Sequence, residues 1–361
     1  MQKKIIALAI ASAFAAPVAM ADVTMYGTMD GGFRHQTNDD PAKGTTDSMQ
    51  MGQYNTARFG LKSVEDMGDG MKTTVVLETS YAPGGIGANS AMNSTTYVNP
   101  TTGASATGPN LATNNPFGLL FDRQATLGVS GGFGSVEMGW NYTTSFKTIA
   151  TYDPMNYKWL GQAMAQTSDT QDRAGNVVYS NTFGDVSVRA EYDVTNATKT
   201  SQPSTGAGRA VGVTYASGAI NAGVAYSAQE ASAAGLAYDD SMTHVTAGAG
   251  YKFGDAKVSV GYAKKATKTA ANDNTSTNMW LGGSFKATGA VNVSAAYYNR
   301  VTNTGAANAL DNTTKVMIVG ATYDLSKKTQ MYVSFDKTTL SVDGSADVVT
   351  NGSTIGVSTV F

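Results

Sequence analysis

Val186-Ser187-Val188-Arg189-Ala190-Glu191-Tyr192-Asp193 alternates two chemistries residue by residue. On an extended chain, Val186, Val188, Ala190 and Tyr192 fall on one face and Ser187, Arg189, Glu191 and Asp193 on the other. The pattern recurs in both directions. In Asn55 to Lys62, Ala57, Phe59 and Leu61 oppose Thr56, Arg58, Gly60 and Lys62. In Lys72 to Tyr81, Thr73, Val75, Leu77 and Tyr81 oppose Lys72, Thr74, Glu78 and Ser80. In Val291 to Arg300, Val291, Val293, Ala295 and Tyr297 oppose Asn292, Ser294, Tyr298 and Arg300. About sixteen such segments run from end to end, an even number as in closed membrane barrels.

The connections differ in length. Short ones carry tight-turn residues: Asp66-Met67-Gly68-Asp69-Gly70, Gly131-Gly132-Phe133-Gly134, Phe183-Gly184-Asp185, Phe253-Gly254-Asp255 and Leu325-Ser326-Lys327-Lys328. Between them lie polar loops rich in Asn, Thr, Ser, Ala and Gly, the longest from about Pro83 to Leu120. Others cover about Thr195 to Gly208, Glu230 to Ser241, Thr267 to Ser276, Thr302 to Thr313 and Ser341 to Asn351. Short turns at one end and long loops at the other are the plan of an all-β, transmembrane antiparallel β-barrel. A soluble β-sandwich of this size would show domain breaks. A β-solenoid would show a fixed short repeat, and none is found.

Export is expected from the first residues. Lys3 and Lys4 precede an apolar run from Ile5 to Ala16, and Ala19-Met20-Ala21 is a small-residue cleavage site. Residues 1–21 therefore read as a signal peptide and 22–361 as the barrel. Without Lys3 and Lys4 the chain holds 23 basic against 27 acidic groups, so no basic excess points to nucleic acid. No cysteine is present, so no disulfide supports the exported chain. The slightly negative mean hydropathy suits a barrel that hides its polar half in the lumen. Tyr26, Tyr81, Tyr142, Tyr179, Tyr192, Tyr251, Tyr262, Tyr323 and Tyr332, with Trp140 and Trp280, sit near strand ends and are expected to form an interfacial aromatic girdle.

No catalytic, cofactor or metal motif is recognisable, and no enzyme activity is expected. His35 and His244 have no neighbour at metal-ligand spacing. The segment between Tyr142 and Asp172 stands apart, because Phe146, Ile149, Tyr157, Trp159 and Leu160 are mixed with charges. Such a loop packs against something. It either folds into the lumen and narrows it, or packs on the outer rim or at a subunit contact. At lumen parity stand Arg58, Lys62, Lys72 and Arg189 against Glu78, Glu191 and Asp193. This near balance gives a weak expected preference for anions.

Several motifs together resemble the Gram-negative trimeric porins, particularly the general porins of the neisserial and β-proteobacterial type. They are Asp22-Val23-Thr24-Met25-Tyr26-Gly27, Ala57-Arg58-Phe59-Gly60-Leu61-Lys62, and Glu65-Asp66-Met67-Gly68-Asp69-Gly70-Met71-Lys72. To these are added Asp122-Arg123-Gln124-Ala125-Thr126-Leu127-Gly128-Val129 and Ala321-Thr322-Tyr323-Asp324-Leu325-Ser326-Lys327-Lys328-Thr329. The resemblance implies a homotrimer of sixteen-stranded barrels amid outer-membrane lipid and lipopolysaccharide. Its third external loop would fold into the lumen, and ions and small hydrophilic solutes would diffuse through. It also implies pore arginines at Arg58, Arg123 and Arg173, with Asp153 chosen as the acidic partner on the loop. Lys62, Lys72 and Glu78 are further lumen-facing candidates. The terminal Phe361 would be read by the barrel-insertion machinery, although the final strand lacks the His often found near that end. Alternation alone disagrees at Arg123, which it places with Ala125, Leu127 and Val129 on the apolar face. Two further readings stay open: a substrate-selective porin, and a non-channel surface barrel or adhesin using the loop from Pro83 to Leu120.

Overall fold

The alternating segments form antiparallel strands in the computed structural model. It describes residues 22–40, 43–82, 85–86, 96–98, 105–107, 121–159, 173–193, 205–231, 241–268, 273–305 and 311–361. The signal segment expected over 1–21 and most of the loop from Pro83 to Leu120 lie outside them. In chain order the strands are β1 (Asp22–Asn38), β2 (Thr45–Met51), β3 (Arg58–Gly68), β4 (Met71–Ala82), β5 (Gly85–Ile86), β6 (Thr96–Val98), β7 (Ser105–Thr107), β8 (Gln124–Gly131) and β9 (Gly134–Tyr142). After a helix, α1 (Thr144–Tyr152), come β10 (Arg173–Phe183), β11 (Val186–Asp193), β12 (Thr205–Ser217), β13 (Ile220–Ala231), β14 (Ser241–Phe253) and β15 (Ala256–Lys268). The last five are β16 (Asp273–Lys286), β17 (Val291–Asn303), β18 (Asn312–Asp324), β19 (Thr329–Val342) and β20 (Val348–Val360).

The main sheet joins 18 strands, most of them to the next in the chain, with β4 pairing to β8, and β1 pairs with β20 to close it. Both β2 and β3 pair with the same edge of β1, and β5 is a two-residue hairpin on β4. This leaves sixteen wall positions. Closing the sheet on itself removes its two free ends, which a membrane-embedded sheet requires. The short turns fall where expected. In Phe183-Gly184-Asp185 and Phe253-Gly254-Asp255 the glycines take φ of 61° and 58°, a left-handed conformation that a Cβ would strain. Strands run further than composition indicated: β15 ends at Lys268 and β16 begins at Asp273, inside the loop expected from Thr267 to Ser276.

The outer face carries exposed apolar side chains such as Val260, Leu281, Met317, Val319, Val333 and Ile355. The opposite face buries His244, Thr246, Asn278, Ser294 and Asp336. Part of the expected girdle belongs inside instead. Tyr179, Tyr192, Tyr251, Tyr323 and Trp140 are exposed, but Tyr142, Tyr332 and Trp280 are buried. Strand parity decides this, not position near a strand end: the neighbours Met331 and Leu281 take the outer side. The core lies within the lumen, where Ile149, Tyr152, Met155 and Trp159 cluster with Trp280, Tyr298, Ile318 and Tyr332.

Candidate functional site

The segment after β9 begins with a capped helix. Thr143 is the N-cap, its hydroxyl accepting from the Phe146 N–H at 3.3 Å. The Glu191 carboxylate accepts from the Thr144 N–H, a favourable place for an anion at a helix N-terminus. Asn176 steadies that carboxylate at 3.0 Å. Along α1, Ile149 and Tyr152 lie three residues apart on one face, and Lys147 falls on the other. The apolar face meets a wall that has room for it. Tyr152 lies over Gly248, where a Cβ would collide with the ring, and its hydroxyl pairs with Thr246 Oγ1 at 2.7 Å. Trp159 likewise stands against Gly320.

Beyond α1 the chain turns sharply. Asn156, Tyr157 and Trp159 take φ of 51°, 56° and 51°, left-handed values unusual for non-glycine residues. Buried Asp153 holds this turn. Its Oδ2 accepts from the Tyr157 N–H at 2.7 Å and its Oδ1 from the Tyr298 hydroxyl at 2.7 Å. Burial pushes its carboxyl up to about 6, against the lowering effect of these hydrogen bonds. Asp153 therefore faces the wall and the turn, and no described contact joins it to the arginines it was expected to oppose.

The carboxylate that meets the arginines is Glu78. Arg123 Nε donates to Glu78 Oε1 at 2.6 Å, and Arg58 Nε lies 3.8 Å from Oε2. The hydroxyls of Tyr26 and Tyr142 each donate to Glu78 at 3.1 Å. Arg123 Nη2 donates to the Tyr142 hydroxyl at 2.7 Å. Arg123 escapes the parity of β8 because the strand starts one residue later, at Gln124. Before it, Phe121 takes φ of 62°, and Asp122 turns back to accept from the Ser80 N–H at 2.7 Å. Freed from alternation, Arg123 points to Glu78.

These groups line a cavity of about 560 Å³ together with Lys147, Lys158, Asn156 and Tyr157 from the loop. Lys147 Nζ stands 4.6 Å from the centre of the Tyr142 ring. Its side chain reaches the cavity, yet the surrounding protein and then the Arg189 and Arg123 charges lower its affinity for a proton. Phe146 stacks between Tyr142 and Tyr157 at 4.9 and 4.5 Å. Of the other sequence candidates, Lys62 and Lys72 are exposed at the lumen parity of β3 and β4. Arg173 opens β10 opposite Tyr142, but its side chain lies outside the described ones. Phe361 pairs with Gly27, donating its N–H to the Gly27 carbonyl at 3.1 Å, and its ring covers that glycine. The sequence reading missed Tyr26 and Tyr142 as lumen residues and assigned no role to Lys147 and Lys158. The parity of Tyr26 with Asp22 and Thr24, against Val23 and Met25, was the available signal for the first.

A family model described as Gram-negative porin matches residues 7–343. The chain belongs to that family. It is 26% identical over 348 residues to outer membrane porin protein 32 of Delftia acidovorans, covering 92% of this chain and 88% of that protein. It is 28% identical over 353 residues to the major outer membrane protein P.IB of Neisseria lactamica, covering 92% of each. Among solved structures, the anion-selective porin from Comamonas acidovorans superposes with a TM-score of 0.73 at 20% identity, covering 94% of this chain and all of that one. The protein is thus an outer-membrane porin, a β-barrel channel for small solutes.

Proposed function

We propose that this porin passes small hydrophilic anions more readily than cations, through a lumen narrowed by the segment that follows β9. The carrying observation is the balance of charge around the cavity. Among the described side chains lining it, Arg58, Arg123, Lys147 and Lys158 face a single carboxylate, Glu78. Clustered cations in a narrow lumen concentrate anions and repel cations. The same cluster opposes apolar solutes, which gain nothing from a field across the path. The anion-selective Comamonas structure shares the fold and is consistent with this reading.

In this reading Arg58 and Arg123 with Glu78 form the constriction on the wall, and Lys147 and Lys158 form it on the loop. Lys62 and Lys72 would extend the positive lining toward the short turns, and Arg173 would enter the same constriction from β10. Asp153 acts by holding the loop's turn rather than by facing the solute. The chain works as a channel and not as an enzyme. Following the porins it resembles, it is exported by residues 1–21, assembles as a homotrimer with lipopolysaccharide around it, and presents Phe361 to the insertion machinery. A reversal potential measured across a planar bilayer in a KCl gradient tests the proposal. The expected sign is that of chloride permeation, and a clearly cationic potential refutes it.

A further inference from the structure

The second wall position is interrupted. Its two halves, β2 and β3, pair with the same edge of β1, at Gly31–Thr37 and Asp22–Thr28. Residues 52–57 leave the wall between them. A break in a membrane-embedded ladder frees backbone groups that must find new partners. Here Asp30 of β1 supplies them. Its carbonyl accepts from the Gly52 N–H at 3.0 Å, and its carboxylate from the N–H groups of Tyr54 and Asn55 at 3.1 and 3.4 Å. Tyr332 donates to the same carboxylate at 3.1 Å. A break in which one residue takes up three freed N–H groups is a built feature.

Tyr54 is the residue that the excursion delivers. Its carbonyl accepts from the Trp159 N–H at 2.9 Å. Its ring meets the Trp159 ring edge-on at 4.8 Å and stacks on Tyr332 at 5.0 Å. Its hydroxyl accepts from Lys158 Nζ at 2.6 Å. One side chain, itself buried, thus touches the wall, the loop's apolar anchor and one of the cavity's cations.

We propose that the excursion at 52–57 is a clasp on the loop at Lys158 and Trp159, and that Tyr54 is a positioning residue for selectivity. Its ring and carbonyl hold Trp159, and its hydroxyl keeps the Lys158 ammonium at the cavity edge. The selectivity role rests on the reading of that cavity as the anion path. A long, flexible lysine left untethered would spread its charge over many rotamers, whereas a fixed ammonium acts at one place along the path.

The test uses the full-length porin in planar bilayers and liposomes. Tyr54→Phe keeps the ring and loses only the hydroxyl. It is expected to lower the anion-to-cation permeability ratio about twofold, and Lys158→Gln to lower it by up to about fivefold. The double variant should match Lys158→Gln alone. A second arm follows the clasp without reading selectivity. The chain has no cysteine, and Met155 is buried in the docked loop, so Met155→Cys adds one protected thiol. Tyr54→Ala should speed its modification by a water-soluble methanethiosulfonate reagent about tenfold, and Tyr54→Phe should not. Unchanged selectivity in Tyr54→Phe, or an equal effect of that substitution in the Lys158→Gln background, overturns the selectivity role. An unchanged thiol rate in Tyr54→Ala overturns the clasp. A wild-type channel with no anion preference removes the reading beneath the selectivity role and overturns that role, while the clasp still stands or falls on the thiol rates.

Discussion

Replacing Glu78 by Gln removes the one carboxylate among the described side chains around the cavity. Arg123 then remains buried without the carboxylate it donates to. Two unit charges about 4 Å apart attract by about 4 kcal/mol at an effective dielectric constant of about 20. The Arg123 contact is closer than that, at 2.6 Å, and the Arg58 contact is similar, at 3.8 Å. Removing one partner of a buried pair costs about 3–5 kcal/mol in general. Glutamine still offers one acceptor oxygen to Arg123 or the tyrosines, so the lower end, about 3 kcal/mol, is the expected loss. The lumen responds in the opposite sense. A unit charge about 4 Å from a solute in water changes its partition by about 1 kcal/mol, or about fivefold. Glu78→Gln should therefore weaken the fold and raise the anion-to-cation ratio by up to that factor. Urea unfolding in detergent, followed by intrinsic fluorescence, reads the first effect, and the bilayer reversal potential reads the second. A folded variant whose selectivity is unchanged or shifts toward cations would refute the assignment of Glu78 as the charge that offsets the cluster.

Three further outcomes follow from particular contacts. Because Asp153 holds its proton to about pH 6 in the docked loop and to about 3.8 in free solution, docking strengthens as pH falls from about 6 toward 4. The full effect is about 3 kcal/mol. Trp159 should become less accessible to acrylamide over that range, and Asp153→Asn should flatten the dependence. Gly248→Val drives a side chain into the Tyr152 ring. Overpacking of this kind costs about 1–3 kcal/mol, and single-channel records should show more frequent current fluctuations than wild type at unchanged barrel assembly. Gly27→Leu displaces the Phe361 ring that covers it. Both it and Phe361→Ala should lower the yield of heat-modifiable barrel in the outer membrane, whereas normal assembly of both would discount the terminal aromatic as an insertion signal.

The barrel was legible in the sequence because strand parity is a local property. Val186 to Asp193 alternates as written, and β11 has those bounds. The proposed constriction was legible only in part. Arg58 sits at the start of β3 and obeys its parity, whereas Arg123 precedes β8 and obeys a turn instead. Asp153 belongs to no strand, so nothing in the pattern told whether it faced the arginines or the wall. The break in the second wall position was hidden for a related reason. Asn55 to Lys62 alternates throughout, but β3 begins only at Arg58, and the first residues of that run belong to the excursion that carries Tyr54. Periodicity over a few polar residues does not distinguish a strand from an extended segment held by side chains.

Where alternation fails, the failure carries information. Val316-Met317-Ile318-Val319 is apolar on both faces of β18. Met317 and Val319 are exposed on the outside, while Val316 and Ile318 are buried on the inside. A water-filled lumen would not favour the second pair. Their inward neighbours Trp280, Ala296, Tyr298 and Tyr332 repeat the anomaly on β16, β17 and β19. This stretch of wall has a protein neighbour on its inner side, and the neighbour is the apolar edge of the loop, Ile149, Tyr152, Met155 and Trp159. Docking there has an electrostatic consequence. The loop's apolar residues cover one side of the lumen, so Lys147 and Lys158 are left to look across the cavity toward Arg58, Glu78 and Arg123 on β3, β4 and the entry to β8. The cavity thereby lies between two cation-bearing surfaces. An apolar wall, which passes no ion itself, determines through the loop where the charges proposed to act on ions are held.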